Sequence, residues 1–520
     1  MGFPYVTTLL VVPAAGAAVT AAIPARRDNA VRSVAVAFSL VTLGLAVALL
    51  IAFDKGVAGY QFVESKSWIG ALGIHYLMGV DGISLFMVVL TGLLFPIALL
   101  ASPRITKRVN AYFALMLTLE AALMGIFLSV DLFLFFVFWE AMLVPMYFII
   151  GIWGHDRRVY AALKFFIYTA AGSALLLLGI LALAFLHAKS PGAHLTFDLR
   201  TLSDWKGLNP NTARWLFLAF GASFAIKVPL FPLHTWLPDA HVEAPTAGSV
   251  LLAGLLLKLG AYGFLRFSLT LFPQASVDFA PLLLTLATIG ILYGAIVAAI
   301  QRDLKKVVAY SSVAHLGFAV LGIFALTTVG IEGGLFTMVS HGLTTGALFL
   351  LVGIIYDRRH TRQMDALGGV WKPAPMLGGI FLAITFASVG LPGLSGFVGE
   401  FLSLIGTFVV HRPYAIFGAA GVILAAVYML WTFQRVFTGE PTGENATFRD
   451  LTRLELTTLL PLLALSLFLG LYPKPLLERV EPSVKALITH VESRSDYHQP
   501  RVADLGPKAV AASTGNGGRR

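Results

Sequence analysis

The chain contains no cysteine. It can therefore supply no disulfide, no thiolate metal site and no iron–sulfur ligand. Charge is also scarce. Only 12% of its 520 residues are Asp, Glu, Lys or Arg, against about 25% in soluble domains. Hydrophobic residues reach 58%, and mean hydropathy is +0.83. This excludes a soluble enzyme, a disordered chain and a nucleic-acid-binding domain. A membrane β-barrel would need strands that alternate apolar and polar residues, which argues against that class. Three chemical motifs are missing as well: a Gly-rich phosphate loop, a His-Glu-x-x-His helix and a nucleophile elbow.

What is present is a series of long apolar runs. Spanning a bilayer takes about 20 mostly apolar residues. Fourteen such runs lie near 3–23, 31–53, 80–102, 110–129, 132–152, 161–186, 214–237, 244–266, 279–300, 307–327, 332–356, 375–407, 414–437 and 454–472. The first run has no basic start, since its first base is Arg26. It reads as a retained helix and not as a signal peptide. With the N-terminus outside, the cytoplasmic connections hold 19 Lys and Arg and the external ones 8, Arg266 among these. The net charge of +10 thus marks the inner membrane face, and no nucleic-acid partner is expected.

Two of the 37 bases, Lys227 and Lys258, fall inside spans. So do Glu120, Glu140 and Glu400, while Asp81 and Asp131 sit at span starts. A charge at the bilayer centre costs at least ~2.5–3.5 kcal/mol, and such residues usually mark an ion or proton path. Structural ion pairing is the plainer alternative. Lys227 precedes Pro229 and Pro232, which should interrupt the seventh span. Gly390 to Gly396, with Pro392 and Gly393, should interrupt the twelfth just before Glu400. Broken spans at membrane depth are tolerated only inside protein or beside a wet cavity. Two of them, about 165 positions apart and carrying opposite charges, suggest a duplicated transporter architecture.

His315 and His341 lie within consecutive spans between the two breaks. They add groups that titrate near neutral pH, which favours a relay over isolated helix–helix hydrogen bonds. His234, Asp239, His241 and Glu243 cluster after the first break. A metal site there is conceivable, but Pro232 and Pro238 leave its geometry undefined, and the reading is of no metal. Lys, His and Glu without cysteine point to proton handling by groups with coupled charge states.

Several motifs carry a resemblance. Phe138-Trp139-Glu140-Ala141-Met142-Leu143-Val144-Pro145-Met146-Tyr147 resembles the fifth-helix motif of the antiporter-like subunits of respiratory complex I. So does His234-Thr235-Trp236-Leu237-Pro238-Asp239-Ala240-His241, followed by Ala244-Pro245-Thr246-Ala247-Gly248-Ser249. The fifth-helix motif, His360-Thr361-Arg362 before Leu367-Gly368-Gly369, and Gly393 to Phe401 look most like subunit M, the homologue of mitochondrial chain 4. The related D-type component of multisubunit cation/proton antiporters is the alternative.

The resemblance implies an all-α polytopic membrane protein of about 14 transmembrane helices. Helices 4–8 and 9–13 would form two inverted five-helix repeats, with helices 7 and 12 broken. The corresponding divisions are 1–109, 110–270, 271–440, 441–475 and 476–520. It also implies a pair between Glu140 and Lys227, a central relay of Lys258, His315 and His341, and an outlet-side site at Glu400. Glu120 receives no role. No cofactor is expected on this chain. FMN, iron–sulfur clusters and quinone would belong to other subunits. The chain would sit between subunits N and L in a bacterial plasma membrane, with both termini outside. Leu476 to Val491 is expected to form a surface helix, and the Gly/Ser-containing end to be disordered.

Overall fold

The computed structural model describes residues 3–24 and 26–500. The chain end expected to be disordered lies largely outside them. Twelve helices among the described residues are long and apolar enough to cross a membrane. In chain order the first six are α1 (Tyr5–Ala22), α2 (Asp28–Ala52), α3 (Gly82–Leu100), α4 (Val109–Leu128), α5 (Leu132–Trp153) and α6 (Arg158–Ala188). The two runs expected to break each form two shorter helices. The first gives α7 (Pro210–Lys227) and, mostly past the expected end of the run at 237, α8 (Trp236–Glu243). The next four spans are α9 (Thr246–Leu271), α10 (Pro273–Ala299), α11 (Leu304–Phe324) and α12 (Thr328–Arg359). The second broken run gives α13 (Pro375–Ser388) and α14 (Ser395–Val410). Then follow α15 (Arg412–Phe437), α16 (Arg453–Leu471) and the amphipathic α17 (Lys474–Arg494).

Burial sorts these helices into a core and a lipid-facing shell. The most apolar windows of α9 and α12 are 100% buried and that of α11 is 94% buried. Those of α1, α2 and α16 are only 28–33% buried. The exposed side chains are large and apolar, such as Ile51 and Leu471, as a bilayer requires. The three innermost helices carry Lys258, His315 and His341.

Among the described residues the one sheet is a hairpin of β1 (Gln61–Ile69) and β2 (Ile74–Val80), which the hydropathy reading does not include. Its turn needs glycine. Gly73 has φ +65°, and a Cβ there would lie 1.9 Å from the Leu195 carbonyl oxygen. The hairpin leads into α3, and Val130 N–H donates to the Leu77 carbonyl, tying it to the α4–α5 connection.

Helix α9 contains two wide π turns, Leu252–Leu256 and Phe264–Ser268. Arg266 lies in the second. It is no loop base, contrary to the topology count, but is 5% exposed within the span. Its guanidinium grips Asp81, the N-cap of α3, at 2.7 and 2.5 Å. The Tyr60 and Tyr262 hydroxyls each accept from one more of its N–H groups. Removing one partner of a buried pair strands the other charge, at roughly 3–5 kcal/mol. Asp81→Asn should therefore deplete the chain from membranes on mild heating. The double change Asp81→Asn with Arg266→Gln should recover most of that loss. Equal depletion by the single and double changes, measured by immunoblot of heated membranes, would count against this lock.

Candidate functional site

Both interruptions arise from the local sequence. Pro229 has no N–H, so the Ala225 carbonyl accepts from Leu230 N–H instead, at 2.9 Å. The Ile226 carbonyl accepts from the Trp236 indole, also at 2.9 Å. At the second break Leu391 N–H reaches back to the Phe386 carbonyl at 3.0 Å. Gly390 and Gly393 hold φ of +79° and +93°, a region disfavoured for residues with a Cβ. Lys227 and Ser388 are the last residues of the two first halves. His241 and Glu400 both lie one turn and a half into the second halves.

Lys227 is buried, and its Nζ has no hydrogen-bond partner among the described residues. It faces the rings of Phe165 and Trp139 at 5.3 and 5.5 Å, a cation–π setting. Glu140 is partly buried, with Oε1 unpartnered. Among the described residues no carboxylate lies within 4.0 Å of Lys227. The expected Glu140–Lys227 pair is thus not closed into a salt bridge in this arrangement. Helix α5 is interrupted at Met142, next to Glu140. The cause is Pro145, whose ring crowds the carbonyl four residues earlier, that of Ala141.

Lys258 follows the first π turn of α9 and is wholly enclosed. Its Nζ donates to the Ala253 carbonyl, a residue of that turn. It also lies 2.7 Å from His341 Nδ1. An ammonium can only donate. With Lys258 charged, His341 Nδ1 must accept and its proton must sit on Nε2. That nitrogen has no partner among the described residues.

His315 Nδ1 lies 2.6 Å from Glu400 Oε1. Its Nε2 is 3.3 Å from the Tyr428 hydroxyl and 3.4 Å from that of Ser388. The His315 and His341 rings are 6.1 Å apart. Both line a cavity with Ser340, Ser388 and Glu400, holding ≈ 10 Å³ of space for water centres. That is close to the minimum for one water molecule. Lys258, His341, His315 and Glu400 therefore form a series whose only gap is about one water wide. No hydrogen bond joins Lys227 or Glu140 to it among the described residues.

The remaining candidates disperse. His241 stacks on Phe349 at 4.5 Å with neither nitrogen partnered. His234 packs against Tyr293. Asp239 pairs with Lys164 at 2.7 Å. Glu243 accepts from Arg157 N–H at 2.8 Å. No cluster of metal-ligand type occurs among the described residues. Glu120 is buried away from the series and accepts from Ser39 on α2 at 3.1 Å.

Three participants escape the sequence reading. Tyr428 and Ser388 look like ordinary span residues and gain meaning only through His315. Lys305, counted as a connection base, is 4% exposed and donates to the Ala244 carbonyl at 2.6 Å. In the nearby α5–α6 connection, burial and the charges of Lys305 and Arg362 push the His155 imidazole down to about 4. It is neutral at physiological pH. Arg266 was within reach of the sequence, because the apolar run continues past it to Leu271.

Comparison with known proteins places this arrangement. A family model described as NADH:quinone oxidoreductase/Mrp antiporter, TM, matches residues 129–427. NADH-quinone oxidoreductase subunit M of Rhodobacter capsulatus is 46% identical, covering 96% of this chain and 98% of that protein. A chain of respiratory complex I from Thermus thermophilus superposes with TM-score 0.85 at 32% identity, covering 94% of this chain and 99% of that one. A chain of the Mrp complex from Dietzia superposes with TM-score 0.84 at 23% identity, covering 95% of this chain and 100% of that one, which is a likeness of fold. With the family model covering more than half of the chain, and the M subunit matched nearly end to end, the chain belongs to the antiporter-like membrane subunits of NADH:quinone oxidoreductase, in the subunit M line.

Proposed function

We propose that this chain is a proton-translocating module in the membrane arm of an NADH–quinone oxidoreductase. The observation that carries the reading is the series Lys258–His341–His315–Glu400, set across the most buried helices of the bundle. Structural ion pairing alone does not call for a lysine bonded to a histidine, with that histidine's other nitrogen left free.

The steps follow from charge and geometry. A carboxylate favours the ammonium form of a nearby lysine. Glu140 approaching Lys227 would hold a proton there, and their separation would release it. The proton so released would recharge Lys258 after Lys258 has passed its own to His341 Nδ1, and His341 gives up its Nε2 proton across the small cavity. His315 receives it at Nε2 and hands its Nδ1 proton to Glu400. The neighbours of the chain would be subunits N and L. NADH, FMN, iron–sulfur clusters and quinone would reside on other subunits, and no redox step occurs on this chain. The membrane would be the bacterial plasma membrane, with both termini outside.

Purification through this chain from its native membranes tests the assignment. Co-purifying flavin and iron–sulfur absorbance, with NADH–quinone activity, is the expected result. Recovery of small membrane subunits alone would instead place the chain in a cation/proton antiporter.

A further inference from the structure

We propose that the groove beneath α17 is a binding site for one anionic phospholipid from the leaflet on that side. The groove is independent of the proton series. It lies between α2, α3, α12 and α16, encloses ≈ 250 Å³, and is roofed by the first turns of α17. Its walls are apolar throughout, with Leu50, Leu93, Leu343 and Leu469 among them. The one polar lining residue among the described residues is Arg479, at the α17 end.

Depth identifies the occupant. Helix α3 begins at Gly82, beside α17, where Gly82 N–H donates to Ser483 at 3.0 Å. Leu93 is three turns further in, about 16 Å at 1.5 Å per residue. That is roughly half of a ~30 Å hydrocarbon core. The groove is therefore one leaflet deep, open to apolar surroundings, and ends in a cation at the interface. An acyl chain fits the slot and a phosphate fits the cation.

The charge at the rim is also unspent. Neighbouring Glu478 is taken up by Lys55 at 2.7 Å and Lys474 at 3.1 Å. Arg479 has no carboxylate partner among the described residues. One terminal nitrogen donates to the Pro475 carbonyl at 2.9 Å. Its Nε is buried with no partner. A guanidinium with free donors against an apolar wall matches a phosphodiester, which it can bind in a bidentate fork.

The test uses the intact complex, reconstituted in phosphatidylcholine vesicles doped with photoreactive phosphatidylglycerol. A parallel sample carries photoreactive phosphatidylcholine. Phosphatidylglycerol should label peptides from α3 and α16 that face the groove, and phosphatidylcholine should label them less. Arg479→Gln should lower phosphatidylglycerol labelling about tenfold, the worth of one charge-assisted hydrogen bond. Leu93→Trp, which fills the slot and leaves the cation, should lower labelling by both lipids. Assembly of each variant is checked by its content of redox subunits. Equal labelling by both lipids in all variants would overturn the proposal. So would an unlabelled groove in the wild-type complex, which would mean that a neighbouring subunit covers it.

Discussion

Lys227→Ala should reduce proton pumping by the assembled complex about tenfold or more, with Glu140→Gln close behind. The side chain removed is buried and has no hydrogen-bond partner among the described residues. A charge so placed costs at least ~2.5–3.5 kcal/mol, so its loss should leave the fold intact or stabilise it. A large functional loss without a structural one is the signature of a site and not of a strut. Proton yield per NADH oxidised is the measurement, made on membranes whose subunit content matches wild type. Normal yield in either assembled variant would sink the assignment. The absence of a salt bridge between Glu140 and Lys227 among the described residues adds a second expectation. Glu140→Asp, shorter by one methylene, should be nearly as damaging as Glu140→Gln, because the acid must close a gap to reach the ammonium.

Lys258→Met should stop proton transfer through the chain while preserving assembly. The ammonium fixes His341 by donating to Nδ1 at 2.7 Å. Without it, neither His341 nitrogen has a partner among the described residues, and the tautomer that feeds the cavity is no longer selected. Lys258→Arg separates two ideas. Arginine stays charged at all relevant pH. If a fixed charge were sufficient, pumping would largely survive. The relay requires Lys258 to release its proton, so Lys258→Arg should be as inactive as Lys258→Met. Substantial pumping by the Arg variant, measured by dye quenching in inverted vesicles, would remove Lys258 from the relay and leave it an electrostatic anchor.

Both predictions concern residues that the sequence already sets apart, and the reason is energetic. Charge inside an apolar run is costly wherever the run ends up, so Lys227, Lys258, Glu140 and Glu400 stand out without any tertiary information. The breaks at Pro229, Pro232, Pro392 and Gly393 are equally local, because proline removes a backbone donor and glycine frees φ. Family resemblance then supplied roles for these positions, which pattern alone could not. The four residues His234, Asp239, His241 and Glu243, neighbours in sequence, do not converge among the described residues. Closeness in sequence around a broken helix says little about the direction of each side chain, and these four point to four different neighbours.

By itself, then, the sequence determined the membrane class, the placement of the apolar runs, the two interruptions and the presence of Lys227, Lys258, Glu140 and Glu400 within spans. Each follows from the chemistry of a single residue or a short window. The tertiary structure alone decided which of those groups meet. It joined Lys258 to His341 and His315 to Glu400 across separations of 83 and 85 positions, and it left Glu140 and Lys227 without a salt bridge among the described residues. It also buried Arg266 on Asp81, recruited Tyr428 and Ser388, introduced the π turns beside Lys258 and Arg266, and roofed an apolar groove with α17. Hydropathy cannot encode these outcomes. It records how much apolar surface a helix carries, whereas contacts depend on its rotation, its bends and the helix that packs against it.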